Sequence, residues 1–101
     1  MPHSDAIILQ ALGCSITLSR LLIEIREKSE MSRLAFANKL GISTQRLANI
    51  EQGKARVLPK HAAHYAKILK ESEEQFVRLA LQDMIDKDDL DYNVMLEAKR
   101  V

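Results

Sequence analysis

Five polar residues cluster between positions 43 and 51: Ser43, Thr44, Gln45, Arg46 and Asn49. Their chemistry suits the edges of nucleic-acid bases. Gln and Asn can each bond adenine through two points, the Thr methyl can touch a thymine methyl, and Arg can reach guanine or a phosphate. A helix face that is merely solvated would more often carry Glu and Lys. Lys54 and Arg56 follow at once, in a basic loop Lys54-Ala55-Arg56-Val57-Leu58. Cations there could hold a phosphate backbone and fix register.

Such residues need an element to present them, and the stretch RLAFANKLGISTQRLANIEQG, Arg33 to Gly53, reads as two helices joined by a tight turn. Phe36, Ala37 and Leu40 share one face of the first helix. Gly41 ends it, since glycine accepts a left-handed backbone without steric cost. Ile42 makes the turn a packed one, and Ser43 can cap the second helix. That helix buries Leu47 and Ile50 and turns Thr44, Gln45, Arg46, Ala48 and Asn49 outward. Ala37, four residues before Gly41, is small enough to let the second helix cross closely. The bland alternative is an ordinary helical hairpin inside a bundle.

These residues together resemble the helix-turn-helix of the Xre-type regulators, the group of lambda-like repressors and Cro proteins. The resemblance spans roughly Leu18 to Leu69 and rests on the apolar positions, Ala37, Gly41, the ending Ile50-Glu51-Gln52-Gly53-Lys54, and Arg26 in the preceding helix. It implies an all-α, five-helix domain like that of the lambda repressor, with double-stranded DNA as partner. It also implies an ion pair between Arg26 and Glu51, and a phosphate contact at Arg33, where the family often carries Gln. A carboxylate at the end of a reading helix would repel phosphate unless neutralised, so a pairing with Arg26 makes physical sense. Without the resemblance, an unpaired surface residue is the lesser alternative for Glu51.

The totals agree with a small helical domain. The chain has 101 residues, 47% apolar and 29% charged, with only two Tyr and two Phe, so the core must be mostly aliphatic. Few Gly and Pro and long apolar-periodic runs favour helices throughout. Net charge is only +1, but it is segregated. Residues 15–70 hold eleven Lys/Arg against four Asp/Glu, and residues 71–101 hold four against nine. A basic body with an acidic end suits a DNA reader with a separate tail, though a short chain can segregate by chance. Cys14 is the only cysteine, so no internal disulfide forms; it reads as a small hydrophobe and fits a reducing compartment. The run Ala6–Leu12 is too short to span a bilayer and lacks a basic lead. These features predict a cytoplasmic, nucleoid-associated protein with no membrane partner.

Three segments are expected: an N-terminal extension 1–14, a helix-turn-helix domain 15–86 and a tail 87–101. Ser4 could cap a short helix over Asp5 to Leu12, with a strand as the alternative. The first helix of the domain should run from about Leu18 to Ser29 with Leu18, Leu21, Leu22 and Ile25 inward. Ser32 caps the next. Pro59 suits the first turn of a later helix that buries Ala62, Ala63, Ala66 and Leu69 beside Tyr65. Ser72 and Gln75 form a capping box before Phe76, Val77, Leu79, Ala80, Leu81, Met84 and Ile85. That last helix is apolar around much of its circumference, which points to a partner surface or to a larger core. Tyr92 to Val101 alternates like a strand. One strand cannot stand alone, so a short intermolecular strand used in dimerisation is expected there, against the alternative of a helical or disordered tail.

No Gly-rich phosphate loop, zinc-protease motif or serine elbow is present. His61 and His64 sit one turn apart without a third ligand nearby in sequence, so surface histidines are the better reading. No catalytic residue, cofactor or metal is expected, and the chain does not read as an enzyme. The expected function is a sequence-specific, dimeric transcriptional repressor that reads the major groove with helix 43–51. An antitoxin that binds a toxin partner and represses its own operon is the alternative. A purely structural helical bundle comes third.

Overall fold

Each helix start carries a local signal. In the computed structural model, which describes residues 16–99, five helices follow one another: α1 Leu18–Lys28, α2 Arg33–Leu40, α3 Thr44–Glu51, α4 Pro59–Leu69 and α5 Glu73–Lys87. Four begin with a hydroxyl cap. Thr17 accepts from the Arg20 N–H, Ser32 from Ala35, Ser43 from Arg46 and Ser72 from Gln75, all at 3.0–3.1 Å. Each cap satisfies a backbone donor that the helix itself cannot. Helix α4 has no side-chain cap but opens with Pro59, whose missing N–H is not needed there.

Ends are equally local. Gly41 closes α2 at φ 77°, and the Ile42 N–H reaches back to the Ala37 carbonyl at 3.0 Å. Lys70 closes α4 in the same left-handed region at φ 58°, a conformation that a side chain makes costly and that the sequence does not advertise. Helix α1 ends at Lys28, one residue before the expected Ser29. Ser72 caps α5 as expected, but the Gln75 side chain accepts from Arg78 at 3.4 Å, so only half of a capping box forms.

The core draws on every helix. Leu18, Leu22, Phe36, Ala37, Leu40, Leu47, Ile50, Val57, Ala62, Tyr65, Ala66, Phe76, Leu79 and Ala80 are buried as one cluster. Leu21, Ile25, Ile42 and Leu69 pack against it half-buried, and Ala63 is also half-buried. Helix α5 lies along α4, α2 meets α3 across the tight turn, and α1 packs against both α3 and α5. Asp83 of α5 faces the Leu18 backbone N–H at the start of α1. Burial raises its carboxyl above the ordinary 3.8, the N–H and Lys87 oppose this, and Asp86 adds to it.

Only one stripe of α5, Phe76, Leu79 and Ala80, is buried; Val77, Leu81, Met84 and Ile85 remain half-buried. Residues 91–99 have no regular secondary structure. The strand expected over Tyr92–Val101 therefore has no ladder partner among the described residues, and positions 100–101 lie outside them. The helix expected over Asp5–Leu12 also lies outside the described residues. Among the described residues, no helix is long and apolar enough to cross a membrane.

Candidate nucleic-acid interface

Helix α3 is two-sided. Leu47 and Ile50 are fully buried, while Ser43, Thr44 and Gln45 are exposed and Arg46 and Asn49 half-exposed. The Gln45 amide donates from Nε2 to Asn49 Oδ1 at 3.1 Å, one turn apart on the outer face. That bond orients the two amides toward each other on a face that water reaches. Ser43 uses its hydroxyl as the cap of α3, so its oxygen already accepts one bond. Arg46 donates from Nη2 to the Arg56 carbonyl at 3.4 Å, which lays it along the following loop.

That loop is anchored at α3. The Asn49 carbonyl accepts from the Lys54 N–H at 2.8 Å and from Ala55 at 3.2 Å, and Gly53 makes the bend at φ 75°. A Cβ on Gly53 would meet nothing within 4 Å, so the backbone angle alone asks for glycine. Lys54 and Arg56 thus stand exposed on an ordered loop beside the amide pair, while Val57 is tucked into the core.

Behind the helix lies a three-residue ion cluster. The Glu51 side chain is 1% exposed and takes both arginines: Arg26 Nε at 2.8 Å and Arg33 Nε at 2.9 Å. Arg26 adds a second bond from Nη2 to Glu51 at 3.2 Å and one from Nη1 to the Met31 carbonyl at 3.3 Å. Burial raises the Glu51 carboxyl, but the hydrogen bonds and charges of Arg26 and Arg33 outweigh it and hold the carboxyl below its ordinary 4.5. The cluster joins α1, α2 and the end of α3. Arg33, expected at a phosphate, gives Nε to Glu51 while its side chain stays 46% exposed. The link from Arg33 to Glu51 spans 18 positions, so no local spacing could have announced it.

His61 and His64 flank Tyr65 with ring centroids 6.4 and 6.3 Å away, an aromatic cluster on α4 far in sequence from the amide pair.

A polar outer face, a tight glycine turn, a buried inner stripe and a neutralised C-terminal carboxylate now stand together. A family model described as Helix-turn-helix matches residues 22–76, more than half of the chain. The chain belongs to the Xre-type, lambda repressor-like helix-turn-helix family. Nothing among curated proteins or among solved structures matches it significantly. Members of this family are DNA-binding transcriptional regulators, and α2 and α3 are the two helices of the motif.

Proposed function

We propose that this protein is a dimeric, sequence-specific repressor that lays α3 in the major groove. Thr44, Gln45 and Asn49 meet base edges, with Ser43 at the helix start and Arg46 at a guanine or a phosphate. Arg33, Lys54 and Arg56 hold the phosphate backbone. The observation that carries this reading is the prealigned Gln45–Asn49 amide pair on the exposed side of a helix whose other side is fully buried. A merely structural helix gains only about 0.2–0.5 kcal/mol from such an i,i+4 bond. The bound protein sits in the cytoplasm, on the nucleoid.

Selection of bound duplexes from a random pool, followed by electrophoretic shift, tests it. The expected result is one enriched motif with two-fold symmetry and half-sites about one helical turn apart, roughly 34 Å. An unenriched pool would sink sequence-specific reading; an enriched motif without symmetry would sink the dimer.

A second reading has one observation behind it. Val77, Leu81, Met84 and Ile85 stay half-buried on α5, and Leu90, Tyr92 and Met95 are exposed. That apolar surface could hold a toxin, which would make the protein an antitoxin that represses its own operon. A toxin gene beside its own would favour this reading, and a stable complex of the two purified products would establish it.

A further inference from the structure

The tail is the part of the molecule that the DNA-reading site does not use. The Gln82 side chain of α5 grips it at two points. Its Nε2 donates to the Tyr92 carbonyl at 2.8 Å, and its Oε1 accepts from the Val94 N–H at 2.7 Å. One amide thus bridges the peptide groups on either side of Asn93, as a residue of a neighbouring strand would. Farther on, Leu96, Glu97 and Ala98 share a shallow pocket with Glu73, Glu74 and Val77. From Gln82 back to Glu74 is roughly 12 Å along the helix. From Asn93 to Glu97 is roughly 13 Å if extended and about half that if helical. The tail therefore runs extended along α5, in the opposite direction.

An extended segment points successive peptide groups to opposite edges. The edge of Tyr92 and Val94 faces Gln82, so the edge of Asn93, Met95 and Glu97 faces away. At the centre the side chains divide the same way, with Val94 and Leu96 half-buried and Met95 89% exposed, while Tyr92 and Ala98 at the two ends are exposed. The outcome is an extended segment with one edge pinned and the other open, carrying a large apolar side chain at its middle. Such an edge is a template for pairing with another chain.

We infer that the open edge pairs with the same edge of a second copy, antiparallel, about a two-fold axis through Met95. This deepens the dimeric part of the proposed function and rests on it. Charge selects the register. Centring on Met95 sets Asp91 opposite the partner copy's Lys99, twice by symmetry, and both are exposed. It also sets Asn93 opposite the partner's Glu97. The open edge belongs to odd-numbered residues, and this register pairs odd with odd, so the free N–H and C=O groups meet each other. Centring on Asn93 or Glu97 would leave Asp91 facing Met95 or lying beyond the described tail, with no such match. The two-fold is perpendicular to the ribbon, so both domains hang from the same face of it.

Disulfide trapping in the full chain tests this, in a Cys14→Ser background. Residues opposite each other at the axis have Cα atoms about 5.5 Å apart, within disulfide range. Met95→Cys should give a covalent dimer on mild oxidation. Asp91→Cys alone should crosslink at least about tenfold less, since its two copies lie roughly 26 Å apart along the ribbon. Mixing Asp91→Cys with Lys99→Cys should restore a crosslink between unlike chains. Sedimentation of the uncut protein completes the set, with Asp91→Lys raising the dimer dissociation constant roughly threefold to thirtyfold. A monomer at high concentration, or a dimer in which Met95→Cys crosslinks no better than Asp91→Cys, overturns the ribbon. DNA binding is measured on the same preparations. Specific binding by a dimer that does not trap at Met95 overturns the ribbon and leaves the repressor; trapping at Met95 without DNA binding leaves the ribbon and overturns the repressor.

Discussion

The α1–α3 block and the tail that follows α5 are held in opposite ways. In the first, capped helices converge on a carboxylate that takes two arginines, and Phe36, Ala37, Leu40, Leu47 and Ile50 are essentially sealed from water. In the second, one glutamine amide fastens an extended segment whose side chains are mostly exposed. Rigidity on one side suits a surface that must match a fixed groove, because a prealigned contact loses little freedom on binding. A lightly held edge on the other side suits pairing that can be made and undone. Under the proposed function, such a division would place stability in the reader and adaptability in the assembly.

Removing the centre of the ion cluster should hurt most. Glu51→Ala leaves Arg26 and Arg33 facing each other without a counter-charge, with Arg26 only 17% exposed. A loss of about 2–4 kcal/mol in urea unfolding is expected. The pH dependence has a definite sign. The folded carboxyl titrates below 4.5 and the unfolded one near it, so its contribution is full above that value and is lost as pH falls through the folded one. Glu51→Gln should flatten this acid limb. An unchanged limb would mean that the cluster does not carry the block.

Overpacking the motif's crossing comes next. Ala37 is fully buried where α2 meets α3. Ala37→Leu should cost about 1–3 kcal/mol and lower the melting temperature. A wild-type melting curve would show that the reading block tolerates slack as the tail does. Gln45→Ala should do the converse, weakening binding to the selected DNA by about 1–3 kcal/mol and relaxing one base pair per half-site with folding untouched. Equal losses on selected and random duplexes would remove Gln45 from base reading. Lys54→Ala or Arg56→Ala should weaken all sequences alike and lower the salt slope by about one unit, which a salt titration reads directly.

What the sequence disclosed follows the same division. Hydroxyl caps at Ser32 and Ser43, the glycine turn at Gly41 and the inward pairs Phe36–Leu40 and Leu47–Ile50 are local signals, decided within a few residues. They could be read without a fold. The left-handed Lys70 was not legible, because lysine does not favour that backbone angle and no local residue type marks it. Neither was the bond from Arg33 to Glu51, since the family resemblance points Arg33 to a phosphate and nothing local points it to a carboxylate 18 positions on. The tail's alternation was visible, but its pinning by Gln82 was not, since Gln82 sits in a helix and nothing in its spacing points at Val94. Of the apolar residues that seemed in excess on α5, Val77 borders the tail at Leu96–Ala98.

The smallest effect should come from the grip itself. Gln82→Ala removes the bonds to Tyr92 and Val94, and a third from Nε2 to Asp86 at 2.9 Å. Yet the side chain is not in the core, and water can replace each lost partner. Global unfolding should therefore change by about 1 kcal/mol or less. The local change should be larger than the global one. The Val94 amide loses its acceptor and should exchange with solvent faster, while amides inside α3 keep their protection. Specific DNA binding should fall only as far as the dimer weakens, and high protein concentration should recover it. If Gln82→Ala instead unfolds the protein as readily as Glu51→Ala, the tail is part of the rigid body and the contrast between the two halves fails. If Val94 exchange is unchanged, something other than Gln82 holds the tail, and the pinned edge is not the edge described.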